Sequence, residues 1–353
     1  MLELLLRRLI QTLLVLGVIS LIAFVIQEQL GDPLRELSGQ SVSTEERTRL
    51  RHELGLDRPF ALRYGQFVGR ALRGDLGHSY FFKEPALPLI LARLPATLEL
   101  VLGATLIVLL ISVPVGLFAA IRPRHPLSQL AMGLTLFGIS VPVFIAAILG
   151  IMLFSVKLGW LPAQGRGELS APFGWKSGLF TLDGVQHLLL PACTLASLLL
   201  PLFVRLIRAE MTAVLNQEYI KFAWAKGLAP GRIWWLHAFK NTLLPLITVG
   251  GMQIGGLVAY AILTETIFQW PGMGALFLQS VNRADGPVVT AYLLVVGVIF
   301  VITSTLVDLL YGLVDPRIRL SGTAPRTTGH PVWADSCCAR RWRSPRCCCC
   351  WHW

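Results

Sequence analysis

Side chains able to do chemistry are scarce in this sequence, and they stand apart from one another. Glu265 lies at the outer end of a long apolar run, Asp308 near the inner end of another, and Glu99 opens a third. An ionisable group at membrane depth is costly unless paired, so each is a candidate for function. Glu265 reads as a gate or pathway residue, with an interfacial, solvated carboxylate in a structural turn as the equal alternative. Asp308 reads as a structural partner for an arginine rather than as a ligand. Glu99 suits a helix N-terminus, where an acid is favoured. His187 and His237 are lone histidines at the edges of apolar runs, and no His/Asp/Glu cluster marks a metal path. No GxSxG elbow supports hydrolase chemistry, and no GxxxxGK[ST] loop is present to cradle ATP phosphates. No catalytic residue is nominated, so an enzyme is not expected.

Those residues are carried by an apolar chain. It is 54% hydrophobic and 14% charged over 353 residues, with a mean hydropathy of +0.63, far from an ordinary soluble domain. The net charge of +11 does not point to nucleic acid, because the basic residues flank apolar runs as they do in membrane proteins. Six runs are long enough to span a bilayer as helices: Leu9–Gln27, Thr97–Ile121, Leu127–Val156, Val185–Ile207, Leu243–Phe268 and Val288–Tyr311. The third is interrupted at Ser140-Val141-Pro142, and prolines at 114, 191 and 201 predict kinks. Gly250, Gly251, Gly255 and Gly256 predict close helix packing. Arg7, Arg8, Arg122, Arg124, Arg205, Arg208, Lys221, Lys226, Arg232, Lys240, Arg317 and Arg319 place both termini inside, with no cleaved signal peptide expected.

Between the fourth and fifth runs lies Glu218–Thr248, EYIKFAWAKGLAPGRIWWLHAFKNTLLPLIT. Its first half places Ile220, Trp224, Gly227 and Leu228 on one helical face, with Glu218, Lys221 and Lys226 polar. Ala223 and Gly227, four apart, would leave a side-chain-free patch. Pro230-Gly231 breaks the helix, and Pro245 opens the next apolar run. A plain amphipathic interfacial loop is the bland alternative.

The order Ala223, Gly227, Leu244-Pro245 resembles the cytoplasmic "EAA" loop of bacterial ABC-importer permeases. The wider string, with AKGL at 225–228, HAFKN at 237–241 and LLP at 243–245, resembles the dipeptide/oligopeptide/nickel branch. So do LGLDRPF, RGDLGHSY, LPATLEL, ETIFQWPGMG and DLLYGLVDPRIR elsewhere in the chain. Lys221 and Trp224 depart from the usual pattern. The resemblance implies an all-α integral membrane protein of six transmembrane helices with the ABC-importer permease fold, and a small extracytoplasmic domain between the first and second helices. The implied layout is a first helix at 1–28, the extracytoplasmic domain at 29–96, a five-helix core at 97–319 with a coupling loop at 209–242, and an atypical tail at 320–353. Glu218, Tyr219, Ala223, Lys226, Gly227, Leu228 and Pro245 would couple to an ATPase, and Glu265 would stand near the gate or the binding-protein contact. The implied partners are a second permease, two ATPases that use ATP and Mg, an extracytoplasmic binding protein and membrane lipid. The chain itself would bind no cofactor and would sit in the inner membrane. An ion-coupled secondary transporter is the rival reading, weakened by the shortage of deep acids.

Six of the seven cysteines fall in the Arg-rich tail, with Cys347 and Cys350 in CxxC spacing and His330 and His352 nearby. Contiguous cysteines seldom give zinc its fixed four ligands. The segment reads as a disordered tail or a frame-shift product.

Overall fold

The first apolar run forms one long helix, α1 (Leu2–Leu30). The computed structural model describes residues 2–30, 59–170 and 177–314. The helix expected at Ser43–Leu54, the turn through Arg58 and the tail beyond Val314 lie outside these residues. A short amphipathic helix, α2 (Phe60–Ala71), precedes α3 (Ala86–Ile121). Of the stretch expected to form a small domain between the first two spans, the described residues are α2 and the turns that follow it, which do not by themselves make a domain. Helix α3 starts eleven residues before the expected span and runs straight through the 96/97 boundary, with Pro95 and Pro114 inside it.

The third run is broken. Helix α4 (Pro126–Ser140) and helix α5 (Val143–Gly150), extended by a π-helical stretch Ile151–Lys157, meet at 107°. Val141 is extended, with φ −88° and ψ 117°, the conformation imposed on a residue preceding proline. Pro142 then starts the second arm. Helix α6 (Leu182–Leu215) follows, then α7 (Glu218–Ala225). A single α-turn Pro230–Arg232 and a π-helical Ile233–Phe239 lead into α8 (Lys240–Ile267), and α9 (Met273–Asn282) and α10 (Gly286–Val314) complete the chain. Five of these helical stretches are long and apolar enough to cross a membrane, and the bent pair makes a sixth if counted as one span.

Helices α3 and α6 pack along their length and form the spine. Leu100, Ala104 and Val108 of α3 meet Leu188, Ala192, Leu195 and Leu199 of α6 in one buried cluster, joined by Val258 and Ala261 of α8. Gly251 and Gly255 pack directly on Val307 and Phe300 of α10, as their small size predicts. Gly250 faces Phe203 at ordinary contact distance, whereas Gly256 meets only side chains of its own helix. Helix α1 leans on α10 through Gly286 against Gln27 and Gly297 against Ile19.

Candidate functional site

Helix α7 is held to the spine by one face. Ile220 and Ala223 are buried against Leu117 and Ala120 of α3, Met211 of α6, and Ile233 and Ala238. Tyr219 ties α7 to the start of α8: its hydroxyl accepts from Asn241 Nδ2 at 2.6 Å and donates to the His237 carbonyl at 3.4 Å. Lys221 Nζ donates to Glu218 Oε1 at 2.8 Å on the exposed side, a pair worth only a few tenths of a kcal/mol. Phe222 is 61% exposed, with the Lys226 ammonium 4.6 Å from its ring centre. Tyr219 and Trp224 are also exposed.

The geometry corrects the reading of this loop. Ile220 faces inward and Trp224 outward, so they do not share one face. Gly227 is not in the helix. It follows the helix end with φ +75°, its N–H donates to the Trp224 carbonyl, and the Leu228 N–H closes on Ala223. This is the left-handed stop that glycine supplies at little cost. An added Cβ at 227 would meet nothing within 4 Å. Ala223 and Gly227 therefore form no shared bare patch, because Ala223 is spent on internal packing. Leu228 packs on the inner cluster. Pro245 does not open a helix but lies within α8, as membrane helices allow.

At the opposite end, Glu265 is fully buried. Its Oε1 accepts from Thr97 Oγ1 at 2.6 Å, and its Oε2 accepts from the Ala275 N–H at 2.9 Å in the first turn of α9. Thr97 in turn accepts from the Met273 N–H at 2.9 Å, and the Trp270 indole donates to the Ala96 carbonyl at 2.8 Å. Gly272 lies directly over the carboxylate, where a Cβ would collide with it. Glu265 is thus not solvated; it is a brace that joins α3, α8 and α9.

Glu99 likewise is no exposed cap. Arg166, in the loop after α5, donates to Glu99 Oε2 through Nη2 at 2.7 Å and Nε at 3.0 Å, with side chains 11% and 4% exposed. The same loop is pinned by the Gly165 N–H donating to the Phe268 carbonyl at 3.0 Å. Asp285 accepts from the Ser79 hydroxyl and from the Tyr80 N–H. Burial, reinforced by Asp285, pushes the Tyr80 phenol above its ordinary pKa. Asp308 is exposed on α10. It lies roughly 24 Å along that helix from Tyr292, whose ring stacks on Phe277 of α9. The structure brings no two of the nominated acids together. His187 makes a local bond to the Asp183 carbonyl at 2.9 Å.

Residues 112–320 match the family described as binding-protein-dependent transport system inner membrane component, and residues 1–101 match its N-terminal counterpart. The chain belongs to this family. The permease is 38% identical over 302 residues to the di/tripeptide transport system permease protein DppB of Pseudomonas aeruginosa, covering 82% of this chain and 90% of that one. It is 37% identical over 337 residues to the dipeptide transport system permease protein DppB of Escherichia coli K12, covering 90% and 99%. The MetNI methionine ABC transporter, solved in inward-facing conformations, shares the fold with a TM-score of 0.51 at 16% identity, over 64% of this chain and 96% of that one. The permease is a multi-pass inner-membrane subunit of an ABC importer and not a catalytic one, and the ion-coupled alternative is not favoured.

Proposed function

We propose that the permease forms half of the pore of an ATP-driven importer for di- or oligopeptides. The relatives named for dipeptide and di/tripeptide transport support that substrate class. A binding protein would deliver the solute outside, a second permease would complete the pore, and two ATPases would dock inside. Both termini are assigned to the cytoplasm on the basic residues that flank the spans. Neither this chain nor its coupling loop is assigned a cofactor; ATP and Mg are assigned to the ATPases.

The observation that carries the coupling assignment is the two-sided character of α7. One side is locked into the packing of α3 and α6 through Ile220 and Ala223. The other presents Phe222, Trp224 and the Lys221–Glu218 pair outward. A force applied to the outer side reaches the transmembrane spine through a rigid contact, which suits a rigid-body switch between discrete states. The seven coupling residues then take different roles. Tyr219, Ala223, Leu228 and Pro245 hold the element, Gly227 ends it, and Glu218 and Lys226 face the ATPase. Glu265 is assigned to the outer closure as a brace, and Asp308 is given no place on the solute path.

The test is peptide uptake into vesicles carrying the permease, its partner permease, the ATPases and a loaded binding protein. Uptake is expected with ATP and not with an ion gradient alone. A reporter fused after Arg124 or Lys226 is expected to read cytoplasmic, and an external signal at Lys226 overturns the coupling assignment.

A further inference from the structure

A slot of about 670 Å³ opens between α1, α2, α3 and α10. Leu13 and Leu16 of α1, Val68 and Leu72 at α2, Leu91 of α3 and Val298 of α10 typify its walls. Along α10 it runs from Leu294 to Ile302, which is about 12 Å of helix. We propose that this slot is a phospholipid site. It would take one acyl chain of a diacyl phospholipid, with an anionic headgroup lying against Arg70 and Arg73 at the end of α2.

The chemistry of the walls selects the chain. Three of the four lining helices are membrane-spanning candidates, so the slot is continuous with the bilayer interior. A buried water needs two to four polar partners, and the polar wall atoms are already engaged. Tyr64 and Ser20 bond each other at 2.8 Å, and both reach the Gly17 carbonyl.

Helix α2 selects the headgroup. Tyr64, Val68 and Ala71 recur at i, i+4 and i+7 and face the slot. Arg70 is exposed on its other side, and Arg73 is exposed in the turn that follows the helix. An apolar stripe backed by arginines is the pattern of a helix that lies at the headgroup boundary. Arg63 is already committed, its Nη2 donating to Glu28 at 2.7 Å, so the headgroup contact falls to the two exposed arginines.

Native mass spectrometry on the full-length permease, extracted from its membrane and exchanged into detergent, tests this. One phospholipid is expected to stay bound per chain. Leu91→Trp and Val295→Trp fill the slot and are expected to abolish that adduct. The double variant Arg70→Gln/Arg73→Gln is on the surface and decides the matter even if the filled variants misfold. In nanodiscs of equal palmitoyl-oleoyl phosphatidylglycerol and phosphatidylethanolamine, the original chain should retain the anionic phosphatidylglycerol preferentially. The double variant should lose that preference by up to ~25-fold, about fivefold per arginine. An original chain with no retained lipid overturns the proposal, as does an unchanged adduct in folded slot-filled variants or an unchanged preference in the double variant. So does a cross-link from Leu72→Cys to a second permease chain in place of lipid, which would make the slot a subunit contact.

Discussion

Two residues change meaning once their surroundings are known. Gly227 reads in sequence as part of a bare helical patch, but its φ of +75° makes it the stop of α7. An L side chain in that conformation costs roughly 1–2 kcal/mol, while asparagine tolerates it better. Gly227→Ala is therefore expected to lower the Tm of the purified permease, and Gly227→Asn to lower it less; equal Tm values for Ala and Gly would contradict the left-handed stop. Glu265 reads as a gate acid and proves to be a double acceptor, for Thr97 and for the Ala275 N–H. Glu265→Gln keeps the shape but turns one acceptor into a donor facing a donor. Leaving a buried polar group unsatisfied costs about 1–3 kcal/mol. The expected result is a lower Tm with normal membrane insertion, and an undiminished Tm would remove the brace. Nothing in the sequence near Glu265 reveals Thr97, whose hydroxyl meets the carboxylate across 168 positions of chain; only the WPG turn at 270–272 signals that the chain doubles back there.

The helical elements themselves are largely legible, because apolar length is a strong signal. The six runs appear as helices, and the proline at 142 marks the break in the third. The 107° angle is not legible, since a proline says where a helix yields and not how far its arms swing. The start of α3 at Ala86 is hidden by Arg93 and Pro95, which resemble a boundary. Helix α9 is hidden because its ten residues are too few to read as a span, although Met273, Leu276, Phe277 and Ser280 recur at helical spacing on its packed side. The loop after α5 looks solvated because Gly-rich composition reads as surface, yet Arg166 is held against Glu99 with its side chain only 11% exposed. Removing one member of a buried ion pair costs about 3–5 kcal/mol, while replacing both is often close to neutral. Arg166→Met is expected to destabilise the permease strongly, and Glu99→Gln/Arg166→Met to recover most of that loss. A double-mutant cycle by thermal unfolding measures the coupling, and additive losses would show that the two side chains act independently.

Across the described residues, the Glu265 brace and α7 lie at opposite ends of the same spine of α3 and α6. Thr97 and Ile121, one at the brace and one at the α7 end of α3, are separated by about 36 Å of helix. A rigid element of that length can carry motion from α7 to the brace, provided α7 is firmly seated. On the proposed coupling role, seating and docking fall on different side chains, so they can be separated. Ile220 is fully buried in the contact with Leu117, Met211 and Ile233, and Ile220→Ala opens a cavity costing about 2–5 kcal/mol. Phe222 is exposed, and a surface change there usually shifts stability by no more than about 0.5 kcal/mol. In the assembled importer, Phe222→Ala is expected to leave the Tm unchanged and to weaken binding of the ATPase. Ile220→Ala is expected to lower the Tm and to leave the ATPase bound, hydrolysing ATP without moving peptide. Measuring Tm, ATPase retention, hydrolysis and uptake on both variants distinguishes the two roles. If Phe222→Ala retains full ATPase binding and uptake, the outward face of α7 is not the docking surface. If Ile220→Ala transports at the original rate per ATP, the buried face is not the transmission contact.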